Sequence, residues 1–211
     1  MHDTFENAAD FTLRLPVAQM PEKARAWAAL LLLDTLGVAI AAGPMEAGVI
    51  ARDTAFSIYG AGDAKMRARM LLDGRSASLA GAGYAIATQT DNLDAHDGFN
   101  PNKGHIGCAA IPSLLALSEQ VDALRGQDAL GAVIVGYEIA ARAGRGLHDT
   151  VSDYHTSGAW NALGVVALGA RLRGLNDDQF RHALGIAEYH GPRSQMMREI
   201  ANPSMLHDGS G

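Results

Sequence analysis

The stretch KARAWAALLLLDTLGVAIA, Lys23 to Ala41, decides the fold. Trp27, Leu30, Leu31, Asp34 and Val38 fall at helical spacing. Leu31, Leu32 and Leu33 make the segment apolar nearly all round, which predicts a helix that is central rather than peripheral. Pro21 suits the first turn and Glu22 the positive end, while Gly43-Pro44 stops the helix. Asp34 and Gly37 interrupt the apolar run, which is short for a membrane span.

The same pattern recurs outward from this helix. Phe5 to Leu15 reads as a short helix ended by Pro16, and Glu46 to Tyr59 as another. Lys65 to Leu72 reads as a short helix or strand. Ser76 is placed to cap a small-residue helix over Ala77 to Thr90. Ile111 to Glu119 is apolar and helical, with Pro112 expected in its first turn. Gln127 to Ala143 has a helical stripe, and its length favours a helix over the strand that Val133, Ile134 and Val135 would allow. Gly144 to Asp153 reads as a polar connection. Ala159 to Leu172 is a helix closed by Gly174, and Asn176 with Gln179 makes a capping box for Asp177 to Tyr189. With no convincing strand pair, the reading is all-α, one helical domain over residues 1–211.

Composition agrees. Aromatic residues are 6% while Ala and Gly abound, which suits closely packed helices better than a β-sandwich. The net charge of -6 provides no basic stripe for nucleic acid. The single cysteine, Cys108, cannot form an internal disulfide and reads as a small core residue, so the cytoplasm is the expected compartment. Met1 to Asp10 lacks the features of a signal peptide, and no membrane partner is expected.

Between two apolar segments lies Asp91 to His105, DNLDAHDGFNPNKGH. Asp91 and Asp94 share a face if the preceding helix continues through them, and Asp97 follows at the same interval. Crowding and burial raise carboxyl pKa values, and His96 and His105 titrate in the same range, so the loop is equipped for proton transfer. Lys103 can offset a substrate carboxylate. A solvated acidic loop is the alternative, and Asp94, His96, Asp97 and His105 are also legitimate zinc or manganese ligands. A second constellation, Tyr154-His155-Thr156-Ser157-Gly158, precedes a helix, where anions bind backbone N–H groups; an ordinary cap by Thr156 or Ser157 is the alternative. A third is the tail, where Arg193, Arg198 and His207 among Met196, Met197 and Met205 suit a carboxylate-bearing substrate.

The order of several strings resembles the MmgE/PrpD family, which includes 2-methylcitrate dehydratase, cis-aconitate decarboxylase and an iminodisuccinate epimerase. They are Asp34 to Ala39, the acidic loop ending in Gly104-His105, Val135 to Glu138, His155 to Gly158, Arg171 to Leu175, Ala183 to Ala187 and Pro203 to Gly209. The resemblance implies a helical domain whose cleft handles di- and tricarboxylic acids without a metal or organic cofactor. It maps the family's acidic motif onto Asp94, its histidines onto His105 and His155, and a basic residue near His207. Asp91, His96, Lys103, Arg193 and Arg198 join them as expected substrate-binding groups. Gly98 stands about where the family's threonine is usual. Family members are longer and imply an α/β lid domain, so the chain reads as truncated, a fragment or half of a split enzyme completed by a second chain. The resemblance also implies a homodimer. The expected reaction is proton abstraction α to a carboxylate, by His105 or Asp94 as base, leading to dehydration, decarboxylation or epimerisation. The alternative is a non-catalytic helical module for dimerisation or assembly.

Overall fold

Helix breakers set the element order. In the computed structural model, which describes residues 4–196, Pro16 and Pro21 separate α1 (Thr4–Ala9), continued by a π-helical turn Asp10–Arg14, from α2 (Glu22–Ala42). α3 (Glu46–Ile58) follows the Gly43-Pro44 break. Then come two short strands, β1 (Arg67–Arg69) and β2 (Ser76–Ser78), and α4 (Leu79–Asn92). The acidic loop leads to α5 (Gly107–Ser118), and α6 (Gly126–Thr150), α7 (Gly158–Arg173) and α8 (Asp177–His190) complete the described chain. The all-α architecture holds, with one small exception. β1 and β2 pair antiparallel, Arg67 opposite Ser78 and Arg69 opposite Ser76, around a turn with Gly74 at φ +80°. The sequence reading found no strand pair because three-residue strands leave too little alternation to detect.

The core has three parts. Ile111, Val133, Trp160 and Leu168 fill the space among α5, α6 and α7, with Ala28 of α2 joining them. Ala55, Ala68, Met70, Ala77 and Ala85 pack the hairpin against α3 and α4. Ala9, Met20, Val135, Ala167 and Phe180 fasten the N-terminal segment to α6, α7 and α8. Small residues let α6 and α7 meet closely: a β-carbon at Gly164 would lie 2.6 Å from both Ala140 Cβ and the Gly136 carbonyl oxygen.

Buried polar side chains stitch segments that carry little apolar bulk. Gln89 of α4 donates to the Ala39 carbonyl at 2.6 Å, and Arg52 of α3 donates to the Gly43 carbonyl at 2.9 Å and to Gln89. Arg52 and Arg75 flank Asp73 of the hairpin turn at 3.4 and 2.6 Å. The hydrogen bond from Arg75, opposed by burial, holds the Asp73 carboxyl below the usual range. Arg171 donates to the carbonyls of Thr12 and Leu15, each at 2.8 Å, closing the π-helical turn.

Several local expectations are corrected. α2 is peripheral rather than central. Its inward face is Ala28, Thr35, Val38, Ala39 and Ala42, whereas Trp27 (55% exposed), Leu30, Leu33 (69%) and Ile40 point outward. Small residues allow the helix to sit close to its neighbours, which leaves the bulky ones no room inside. At 21 residues, α2 is also long and apolar enough to cross a membrane by length and composition, contrary to the reading of a run too short to span. The cap of α4 is Ser78, whose hydroxyl accepts from Gly81 N–H at 3.1 Å, because the strand runs through Ser78 and the helix starts only at Leu79. α5 starts at Gly107, so Pro112 falls in its second turn. α6 runs through Gly144 to Thr150 instead of breaking there. Gly144 is required by packing: a β-carbon would lie 2.8 Å from Trp160 Cδ2 and collide with the Asn102 side chain.

Candidate active site

The acidic loop leaves α4 at Asn92 and turns at once. Asp94 has φ +49°, in the left-handed region, so the helix does not carry Asp91 and Asp94 on one face as expected. The turn instead folds the chain back on itself. Asp91 and His96 are buried, with His96 Nε2 3.5 Å from Asp91 Oδ1. The His96 and His105 rings stand 4.4 Å apart between centroids, and His105 Nε2 lies 3.9 Å from Asp94 Oδ1. The loop therefore gathers Asp91, Asp94, His96 and His105 into one cluster.

His105 is held through both its ring and its backbone. Its Nδ1–H donates to the Asp97 carbonyl oxygen at 2.7 Å. A carbonyl only accepts, so a neutral His105 carries its proton on Nδ1 and its lone pair on Nε2, facing Asp94. The backbone is clamped from the start of α7. His105 N–H donates to Ser157 Oγ at 3.2 Å, and Asn161 Nδ2 donates to the His105 carbonyl at 2.8 Å. Ser157 is thus not the ordinary side-chain cap expected of it; its hydroxyl accepts from the loop.

Beneath the loop lies a polar knot that the sequence reading missed. Asp97 Oδ1 accepts from Gly107 N–H at 2.9 Å. Thr35 of α2 and Tyr137 of α6 close over the same spot: a β-carbon at Gly107 would lie 2.6 Å from Thr35 Oγ1, 2.7 Å from the Tyr137 hydroxyl and in collision with Asp97 Oδ1. Burial pushes the Asp97 carboxyl up, opposed by the Gly107 N–H and by His105. Burial, followed by the charge of Asp97, pushes the Tyr137 phenol far above its usual range. Thr35 and Tyr137 lie inside the strings Asp34 to Ala39 and Val135 to Glu138, so a signal was present; their convergence on Asp97 was not readable from spacing.

Lys103 also has a left-handed backbone, φ +52°, at the end of the 3-10 turn Asn100–Asn102. Asn102 anchors that turn, donating to the Ala141 carbonyl at 3.0 Å, and Phe99 N–H donates to the Gly104 carbonyl at 2.7 Å. The Lys103 ammonium rests over the Tyr154 ring, 5.6 Å from its centroid, which brings it to the junction of α6 and α7. His155 lies in that junction, two residues before Ser157. Its Nδ1 donates to the Asp153 carbonyl at 3.0 Å, and its N–H points to His148 Nε2 at 3.4 Å. Burial and then the nearby His155 depress the His148 pKa. Arg193 is exposed and paired with Glu188 at the end of α8, outside the His105 cluster. Arg198 and His207 lie outside the described residues.

Cys108 is buried, as a core residue should be. Two sets of side chains have metal-compatible spacing among the described residues: Asp94, His96 and His105, and Asp91, His96 and Cys108, the donor atoms in each set lying within 4.8 Å of one another.

No curated protein matches the chain. The model of the MmgE/PrpD N-terminal domain matches residues 6–210, nearly the full chain. Together with the helical fold and the ordered strings that flank the acidic loop, this match places the chain in the MmgE/PrpD family, as its N-terminal helical domain.

Proposed function

We propose that the chain is an enzyme, or the helical part of one, that removes a proton α to a carboxylate of a small di- or tricarboxylic acid without a cofactor. The observation that carries this reading is the His105 ring, whose Nδ1–H is committed to the Asp97 carbonyl so that Nε2 is left as the basic atom. Asp94, 3.9 Å from that atom, stabilises the imidazolium formed after proton transfer or acts as the base itself. His155 serves as the acid or holds a substrate carboxylate, and Asp91 and His96 shape the same wall. Lys103 offsets the charge of the developing enolate, with Arg198 and His207 as further carboxylate partners. Dehydration, decarboxylation and epimerisation all begin with this step.

The test is deuterium incorporation at the α-carbon of candidate di- and tricarboxylic acids. Folded protein should catalyse exchange, and His105→Asn should slow it by about 10²-fold or more. No exchange by folded protein, or an unchanged rate in His105→Asn, would overturn the reading.

A second reading, favoured by the outward Trp27, Leu30, Leu33 and Ile40 of α2, is that the chain associates as a homodimer. Apolar side chains gathered on one helix face are typical of surfaces covered by a partner. Sedimentation should show a dimer that Leu33→Lys shifts toward the monomer; a monomeric parent protein would dispose of this reading.

A further inference from the structure

We propose that Asp94, His96 and His105 form a site for a zinc-class divalent ion, and that its occupation silences the base at His105; the silencing rests on the function proposed above. The donor atoms already converge within 4.8 Å of one another. Around a tetrahedral zinc ion with bonds of about 2.0–2.1 Å, donors stand about 3.3 Å apart. The 3.9 Å between His105 Nε2 and Asp94 Oδ1 therefore needs to contract by less than an ångström. Asp94 can supply that movement, since its side chain is 55% exposed.

Three further features favour an ion. Nε2 of neutral His105 and the Asp94 carboxylate are both acceptors, and they face each other. A cation between them satisfies both. The His105 ring is also held from behind in the manner of a metal-bound histidine, which passes its second nitrogen to a carbonyl or carboxylate: its partner is the Asp97 carbonyl at 2.7 Å, and the carboxylate of Asp91 stands 3.5 Å from His96 Nε2. Finally, the set is open on the Asp94 side while His96 is enclosed, which gives an ion an entry and leaves room for a fourth ligand.

Two imidazoles with one carboxylate select zinc and its neighbours over calcium or magnesium, which prefer oxygen alone. The alternative buried set shares His96 but has no exposed member, so the open set is the one a free ion reaches. Coordination takes the Nε2 lone pair that the proposed reaction uses to accept the α-proton. The bound ion is accordingly an inhibitor.

The experiment strips the protein with a chelator and titrates it with cobalt(II), read by visible d–d absorption, and with zinc, read by calorimetry. α-Proton exchange is followed in parallel with and without zinc. One ion per chain is expected, with affinity falling about tenfold or more in His96→Asn and His105→Asn. Asp94→Asn, at an exposed position, gives the same readout should the buried His96 variant fail to fold. His190→Asn should bind as the parent does, and one equivalent of zinc should stop exchange. No binding, or binding that survives both His105→Asn and Asp94→Asn, overturns the site. Full exchange with zinc bound overturns the silencing. Metal-free protein that exchanges nothing, while cobalt binding still responds to His105→Asn, refutes the proposed reaction and with it the silencing, and supports the site.

Discussion

Replacing Gly107 with alanine is the sharpest test of how the loop is held. The added methyl would meet Asp97 Oδ1, Thr35 Oγ1 at 2.6 Å and the Tyr137 hydroxyl at 2.7 Å. None of these groups can easily retreat. Thr35 is 1% exposed on α2, Tyr137 projects from α6, and Asp97 is tied to the Gly107 N–H itself at 2.9 Å. Overpacking of this kind costs about 1–3 kcal/mol. Losing a hydrogen bond to a carboxylate costs about 1.5–3 kcal/mol. The smaller chain entropy of unfolded alanine returns about 0.4–1 kcal/mol. The net loss is about 2–5 kcal/mol, which lowers the urea midpoint by about 1–2 M. Gly185→Ala on α8 is the control, because nothing lies within 4 Å of its added methyl. There the midpoint should rise, for a gain of about 0.5–1 kcal/mol. If both variants unfold at the parent's midpoint, the knot around Gly107 is not packed as described and the argument fails.

Three other outcomes follow from the same contacts. Asn161→Ala removes the amide that donates to the His105 carbonyl, and should cost about 1 kcal/mol in urea unfolding while slowing α-proton exchange more than a distant substitution of equal cost. Asp97 has a carboxyl raised above 3.8 in the folded state, so the unfolded chain ionises first and stability falls as pH rises from there; Asp97→Asn should gain stability at neutral pH and lose that advantage below pH 3.8, as pH-dependent unfolding would show. His148 is depressed below 6.5, so the unfolded chain binds its proton first and stability falls as pH drops through that value; His148→Gln should flatten the slope, and an unchanged slope would assign it elsewhere.

Most helices were legible because their signals are local. The capping box at Asn176 and Gln179 and the left-handed Gly174 that ends α7 both form as the sequence implies. Where the reading failed, a distant contact decided. Gly144 looked like a helix end, but it continues α6 because Asn102 and Trp160 press against it. The apolar run of α2 implies a central helix, but hydrophobicity is not burial, and its small residues are what face the core. In the acidic loop, the dense run of acids and imidazoles folds so that Asp91, Asp94, His96 and His105 stand together. What spacing could not convey was that Asp97 would turn inward to Thr35 and Tyr137, or that Ser157 and Asn161 would reach across to grip His105.

The two left-handed residues of the loop, Asp94 and Lys103, carry a cost of their own. A side chain in that region is disfavoured by about 1–2 kcal/mol, and glycine would occupy either position with less strain. A sequence tuned only for durability would drift to glycine at both. The loop holds instead a carboxylate and an ammonium, the very side chains that can face a charged guest. Asp94→Gly and Lys103→Gly are therefore the substitutions most apt to yield a sturdier protein that works less well, and laboratory selection for heat resistance alone should find them early.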